Sequence, residues 1–256
     1  GDLLQIMQCL RSEGGCPWDR EQTHESIKKN LIEETYEVIE AINQQDKALL
    51  CEELGDVLMQ VVFHAQMEAE EGSFTFENVA DGVCKKLIER HPHVFGEVEV
   101  TGSEEVLRNW DDIKKRSKGQ TSQTETMLSV PRELPALMRA TKVQKKAAKV
   151  GFDWPDISGA VDKLYEETSE LSGAIESGSE EEIAEELGDL LFSAVNVSRF
   201  VGCDAEEALT AATDKFMRRF ACVEEKARER GLKLEELSLS ELDALWDEAK
   251  LDLLSK

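Results

Sequence analysis

Apolar residues recur at every third or fourth position along most of the chain, which is the spacing that places them on one face of an α-helix. In the first half the clearest stripes are Leu31, Ile32, Val38, Ile39 and Ile42, followed by Leu54, Val57, Leu58, Val61 and Val62. In the second half they are Leu164, Leu171 and Ile175, followed by Leu187, Leu190, Leu191 and Val195. Stretches that alternate Val, Ile and Thr, as strands do, are scarce. The pattern therefore predicts an all-α fold.

Each pair of stripes is separated by a short polar stretch, 43–47 in the first half and 177–180 in the second. A short turn between two amphipathic helices makes them antiparallel neighbours. Two helices alone cannot enclose a core. We therefore expect two such hairpins, within one chain or across a homodimer, to complete each four-helix core.

The two halves also repeat one another in sequence. Residues 33–37 read EETYE and residues 166–170 read EETSE, while EELGD occurs at both 52–56 and 185–189. Both matches have the same offset of 133 residues, which indicates two copies of one module.

The boundary between the copies is predicted from a change in composition. The stretch 117–130 is polar and lacks periodicity, which is typical of a linker. The sequence thus predicts an N-terminal domain at 1–116, a linker at 117–130 and a C-terminal domain at 131–256.

The formal net charge is −24, with 54 Asp and Glu residues against 30 Lys and Arg. Such a chain does not attract polyanions through a general field, so a nucleic acid polymer is not an expected partner. Small phosphorylated ligands remain compatible where divalent ions bridge phosphate to carboxylate. The six cysteines include no CxxC pair, and no run of about 18 apolar residues occurs. We therefore expect a cytoplasmic protein with reduced thiols and no membrane partner.

Paired acids are the main candidate chemistry. In each copy two acids three residues apart share one helix face, and a second such pair lies on the next helix. The two sets are Glu34, Glu37, Glu53 and Asp56, and Glu167, Glu170, Glu186 and Asp189. Each pair of unit charges at 4 Å costs about 4 kcal/mol at an effective dielectric near 20, so facing acids need a counter-charge. Oxygen ligands without Cys or His indicate Mg²⁺, with Mn²⁺ as a substitute.

These acids have two other interpretations. Glutamates in an acidic protein can simply form solvated helix faces, but the exact repetition of both motifs disfavours this. A di-iron bundle would use Glu-x-x-His, whereas the third position here carries Glu or Asp. The residues His64, His91 and His93 lie outside the pairs.

A basic cluster follows the acids in each copy: Lys215, Arg218 and Arg219 in the second, Lys86 and Arg90 in the first. These cations either balance local carboxylates or hold the oxygens of a polyphosphate. Trp110 and Trp246, late in each copy, either close over a base or anchor a terminal helix.

The ordered set of motifs resembles the MazG family over essentially the whole chain. Besides the acid pairs, it includes GCPWD at 15–19, ERHPHVFG at 89–96 and VGFDW at 150–154. The resemblance implies an all-α nucleoside triphosphate pyrophosphohydrolase that is Mg²⁺-dependent, tolerant of different bases, active on NTP and dNTP, and commonly dimeric. In that family the C-terminal copy is often the more active, so we expect it to be the main catalytic domain.

Carried over residue by residue, the resemblance implies that the second set of acids binds the metal. It also implies a set of nucleotide-binding or water-positioning residues, namely Lys163, Leu164, Tyr165, Glu166, Glu182, Glu185, Asp189, Asn196, Lys215, Arg218, Arg219 and Trp246, with Lys86 and Arg90 as basic residues of the first copy. The first copy departs from this pattern, because Asn30 stands in place of Lys163 and Phe63 in place of Asn196.

The resulting hypothesis is that a metal-activated water attacks the α-phosphate of the NTP and releases the monophosphate and pyrophosphate. Glu166 or Glu185, beside the ligands, would accept the proton. The alternative is a non-catalytic helical module that binds or senses a nucleotide without turnover. Pyrophosphate release in the presence of Mg²⁺ separates the two.

Overall fold

A computed structural model describes residues 2–117 and 119–254, and within these ranges every regular element is a helix. This confirms the all-α prediction. The chain divides into two compact units, Gly1–Ser117 and Lys118–Lys256. Among the described helices, none combines the length and the apolar character that crossing a membrane requires.

The first unit is built on a long antiparallel pair, α3 and α4. Its helices are α1 (Asp2–Arg11), α2 (Pro17–Glu21), α3 (His24–Gln44), α4 (Lys47–Glu70), α5 (Phe76–Arg90), α6 (Pro92–Phe95) and α7 (Ser103–Ser117). Thr23 and Ser26 form a capping box that starts α3, and Asp46 caps α4 through two backbone amides. Gln45 closes the turn in the left-handed conformation, with φ of 57°. The turn falls inside the predicted stretch 43–47.

The second unit repeats this design. Its helices are α8 (Gln123–Leu128), α9 (Ala136–Ala148), α10 (Ile157–Ser177), α11 (Glu180–Phe200), α12 (Ala205–Glu229) and α13 (Leu239–Leu254), with a 3₁₀ turn at Leu234–Glu236. Gly178, with φ of 81°, ends α10 and Ser179 caps α11. In the first unit α1 packs on α4, and in the second α9 packs on α11.

Part of the segment predicted as a linker is instead a helix. Within 117–130, α8 begins at a capping box formed by Ser122 and Glu125, and it packs against α9. Thr126 of α8 is 4% exposed, so this segment belongs to the second unit. This helix was not predicted because it has only six residues and therefore no apolar stripe. Its capping box, Ser122 with Glu125 three residues later, is present in the sequence.

The core of the first unit centres on Phe63, which is 5% exposed and packs with Met7, Ile27 and Met67. The guanidinium of Arg11 lies 5.3 Å from the centre of its ring. In the second unit a separate cluster joins α12 to α13 through Val223, Ala227, Leu245 and Ala249.

Replacing Phe63 with alanine is expected to lower the free energy of unfolding of the first unit by about 3–5 kcal/mol, because it leaves a cavity among close-packed side chains. Denaturant unfolding measures the change. Phe95, in the same unit but 62% exposed, supplies the matched control, and its replacement by alanine should cost far less. Equal losses in the two variants would contradict this description of the core.

Each copy leaves apolar side chains on the surface, both on its helix hairpin and on the helix that follows it. The exposed positions recur at equivalent places in the two copies: Ile42 and Ile175, Leu54 and Leu187, Leu58 and Leu191, Val83 and Phe216, and Leu87 and Phe220. Single exposed apolar residues are ordinary, but here the same set is exposed in both copies.

Candidate active site

The antiparallel hairpins bring the predicted acids together in both copies. Glu167 and Glu170 on α10 and Glu186 on α11 each offer a carboxylate oxygen, and these oxygens lie within 4.8 Å of one another. Glu34, Glu37 and Glu53 form the same cluster between α3 and α4. Among the described residues, no histidine or cysteine belongs to a cluster of this kind. The donors are therefore all hard oxygens.

Burial, together with the charges of neighbouring carboxylates, raises the pKa of several members of the two clusters. For Glu186 the largest cause is burial, followed by the charges of Glu170, Glu167 and Asp189. The pKa of Glu34 is raised by burial, by a hydrogen bond with Glu37, and by neighbouring charges that include Asp56. The fourth acid of each copy thus acts electrostatically on the three-acid cluster.

Lys163 distinguishes the second cluster from the first. Its Nζ lies 2.7 Å from an oxygen of Glu167 and 2.8 Å from an oxygen of Glu166, and these contacts raise the pKa of Lys163. Glu167 is only 4% exposed, so its charge needs such compensation. In the first copy Asn30 replaces the lysine. In the described part of that copy, Glu34 has no ion pair.

The acids fit a divalent cation on chemical grounds. Among the described residues, each cluster consists of carboxylates without a sulfur or imidazole ligand. Burial and neighbouring negative charge raise the pKa of two members of the first cluster and one of the second. Mg²⁺ and Mn²⁺ prefer oxygen donors of this kind and would relieve the repulsion. These residues would hold the ion.

The remaining predicted residues of the hairpin lie on α10 and α11, the two helices that carry the second cluster. Glu166, Glu182 and Glu185 are exposed, as is Tyr165, whereas Leu164 is half-buried. An exposed carboxylate next to a buried one is accessible to solvent water. The assignments of these residues to nucleotide binding or proton transfer stay predictions.

The basic clusters lie on helices that follow the hairpins. Lys215 and Arg218 on α12 are exposed, while the guanidinium of Arg219 lies 5.9 Å from the centre of the Trp246 ring. In the described structure, no hydrogen bond or ion pair links these three cations to the acids. The first copy repeats the arrangement, because Arg90 lies 5.7 Å from the Trp110 ring and Lys86 is exposed. The two tryptophans therefore act at least as packing partners for these arginines.

A cavity of about 530 Å³ was not predicted from the sequence. It lies between α9, α11 and the loop that carries the VGFDW motif, and Gln144, Trp154 and Asn196 are among its lining residues. Of these, only Asn196 was a candidate. The motif itself was visible in the sequence, but nothing there showed that it faces α11.

This chain is similar to one known protein family, whose model matches it twice, and to several known proteins along most of its length. The model of the MazG nucleotide pyrophosphohydrolase domain matches residues 22–95 and again residues 158–223. A Thermotoga maritima protein named nucleoside triphosphate pyrophosphohydrolase/pyrophosphatase MazG is 48% identical over 97% of this chain and 94% of its own length. The nucleoside triphosphate pyrophosphohydrolase of Escherichia coli K12 is 46% identical over 97% of this chain and 95% of its own. The uncharacterized protein YabN of Bacillus subtilis is 50% identical over 96% of this chain but half of its own length.

Proposed function

The chain belongs to the MazG nucleotide pyrophosphohydrolase family, and on that premise we propose that it hydrolyses nucleoside triphosphates to the monophosphate and pyrophosphate at the acid cluster between α10 and α11, with Mg²⁺ as cofactor and Mn²⁺ as a substitute. The observation that carries the proposal is the convergence of Glu167, Glu170 and Glu186 within 4.8 Å. The names of the relatives support the reaction class.

Each group of residues has a distinct part in this proposal. Glu167, Glu170, Glu186 and Asp189 would hold the Mg²⁺ ions. When bound, such ions neutralise phosphate charge and lower the pKa of water. Lys163 holds Glu167 and Glu166 in place through its two ion pairs.

Proton transfer and leaving-group stabilisation would fall to residues around the cluster. Glu166 or Glu185, both exposed beside a metal-holding acid, would accept the proton of the attacking water. The cations of α12, Lys215 and Arg219, would neutralise the pyrophosphate that leaves. We propose a broad range of bases and both NTP and dNTP as substrates.

The reaction is tested by incubating the protein with Mg²⁺ and each of the common NTPs and dNTPs in ¹⁸O-labelled water. Attack on the α-phosphorus puts the label in the monophosphate and leaves pyrophosphate unlabelled. Label in pyrophosphate, or release of orthophosphate, would contradict the proposed bond cleavage. Nucleotide binding without pyrophosphate release would favour the sensor alternative.

We further propose a homodimer, in which the repeated exposed apolar positions on the hairpins and on α5 and α12 pack against a second molecule of this chain. The double variant Leu58→Glu and Leu191→Glu should then sediment as a monomer. Dimerisation of this variant would bury an unpaired carboxylate in the interface of each repeat, which is unfavourable. Leu239, 75% exposed and outside the repeated set, is the control: Leu239→Glu should leave the dimer intact. A wild-type monomer at micromolar concentration would contradict the proposal.

A further inference from the structure

All four histidines of the chain lie in the first unit, at positions 24, 64, 91 and 93. Two of them meet at the open end of the hairpin that α3 and α4 form. His24 is the first residue of α3, and His64 lies in the second half of α4. The turn that joins these antiparallel helices, at Gln45, is at the opposite end. A bond between the two rings therefore closes the end of the hairpin that the turn does not hold.

A hydrogen-bonded chain of three side chains joins the helices at this end. Nδ1 of His24 lies 2.6 Å from Nδ1 of His64, and the planes of the two rings are 4° apart. Nε2 of His24 lies 2.8 Å from an oxygen of Glu68. Because a carboxylate only accepts, His24 donates through Nε2, which leaves Nδ1 of the neutral ring bare. That nitrogen then accepts from the Nδ1–H of His64, so the partners assign both tautomers.

The other nitrogen of His64 is poorly placed to take up a proton. Its Nε2 is buried and has no hydrogen-bond partner among the described residues. A proton there would become a buried donor without an acceptor. Burial, and then the charge of His24, lower the pKa of His64.

The other helices that pack on α4 do not offset these effects. In the described part of the first unit, no charged group of α1 or α5 acts on the pKa of His64. The nearby cation of α1, Arg11, is bound to Glu70 at 2.8 Å. The protonation of His64 is therefore governed by its burial and by His24.

The paired rings take up fewer protons than free rings do. Two Nδ1 atoms 2.6 Å apart leave room for one hydrogen between them, so His24 and His64 cannot both be charged while they are bonded. Glu68 favours a charge on His24, but that charge would lie at the positive end of the α3 dipole. In the unfolded chain each ring becomes charged independently near pH 6.5. As the pH falls below that value, the folded unit therefore binds about one proton fewer than the unfolded chain.

The second copy closes the same end of its hairpin with groups that do not titrate near neutral pH. Arg199, in the last turn of α11, donates from Nη1 to Asp153, shortly before α10, over 2.8 Å. This contact lowers the pKa of the Asp153 carboxyl, so the stability that it provides is lost only as the pH falls below about 3.9. Ile157 and Val197 stand at the repeat positions of His24 and His64.

We propose that Glu68, His24 and His64 form a clasp that opens the hairpin of the first unit in mild acid, while the hairpin of the second unit stays closed. The folded state resists protonation of His64, so the stability that the clasp provides is present above about pH 6.5 and declines as the pH falls below it. A difference of one proton raises the opening equilibrium constant about tenfold for each pH unit. The first copy is then the pH-responsive half of the chain. This inference does not depend on the proposed function.

Hydrogen–deuterium exchange of the full chain, followed on peptides from α3 and α10, tests the clasp. We expect the protection of α3 amides, corrected for the intrinsic pH dependence of exchange, to fall about tenfold between about pH 7.5 and about pH 5.5. The protection of α10 amides should change by less than about twofold, because Asp153 and Arg199 stay charged. An α3 that loses no protection, or an α10 that loses as much, would overturn the proposal.

Two variants identify the titrating group. His64→Asn keeps a donor near the position of Nδ1 and cannot become charged, so its α3 should lose less than about threefold over the same pH range. His91→Gln is the matched control from the same unit, because the bond from His91 Nδ1 to the carbonyl oxygen of Leu87 survives protonation of the ring. It should keep the tenfold loss. A tenfold loss in His64→Asn, or none in His91→Gln, would contradict the clasp.

Nuclear magnetic resonance of the wild type provides a measurement that does not rely on a variant that folds. The ring ¹⁵N signals of His24 and His64 should show that the two rings together take up one proton between about pH 7.5 and about pH 5.5. Two fully charged rings at the lower pH, in a chain whose α3 is still protected, would overturn the proposal.

Discussion

Replacing Asp189 or Glu170 with alanine is expected to lower pyrophosphate release by about a thousandfold or more, because each change removes one oxygen ligand from the proposed metal site. Both residues are exposed, so neither substitution opens a cavity. Removing a charge from the cluster also relieves repulsion, since Asp189 and Glu170 both raise the pKa of Glu186. The variants should therefore fold as the wild type does, as checked by thermal unfolding in the absence of metal.

The first copy supplies matched controls for this experiment. Asp56→Ala and Glu37→Ala make the same changes in the same motif, but in the copy where Asn30 stands in place of Lys163 and Phe63 in place of Asn196. We expect these variants to keep most of the activity. Near-wild-type turnover in both Asp189→Ala and Glu170→Ala would exclude the site. Equal losses in the two copies would show that both copies catalyse or that they depend on one another.

The hairpins and their acid clusters were predictable because the signals are local and repeated. Helical spacing fixes which side chains share a face, and a turn of two residues leaves little choice but antiparallel packing. Glu167 and Glu170 lie one helical turn apart on α10. The 19 residues from Glu167 to Glu186 take the chain to the end of α10, through the turn and back along α11. The repeat then provides two independent instances of the same geometry.

The cavity lined by Gln144, Trp154 and Asn196 was not predictable in the same way, because it is assembled from segments that are distant in sequence. Gln144 lies in the polar stretch KVQKKAA, where it reads as one more surface residue. Only the packing of α9 on α11 turns it inward and gives its Nε2 the Phe192 carbonyl as a partner. The same limit applies to His64, which stacks on His24 at 4.9 Å and so pairs with α3 instead of the acids.

Chelation of divalent ions is expected to abolish activity, and Mg²⁺ is expected to restore it. Burial raises the pKa of Glu34, Glu53 and Glu186, and the charges of the neighbouring acids raise it further, so a bound cation would offset both effects. A cation that binds the folded chain and not the unfolded one also stabilises it, by about 2.7 kcal/mol at a hundred times its Kd. Restored turnover should therefore be accompanied by a rise in Tm of several degrees.

Measuring Tm without nucleotide distinguishes Mg²⁺ that binds to the acids from Mg²⁺ that enters the site bound to the nucleotide. Without nucleotide, Mg²⁺ should raise the Tm of the wild type more than that of a variant carrying Glu34→Gln and Glu186→Gln, because each substitution removes a ligand from one cluster. The same variant should be at least as stable as the wild type in chelator, since it has lost charge from both clusters. If Mg²⁺ shifts both proteins equally, the acids do not bind the ion, and an activity that still requires Mg²⁺ would then depend on the metal–nucleotide complex alone.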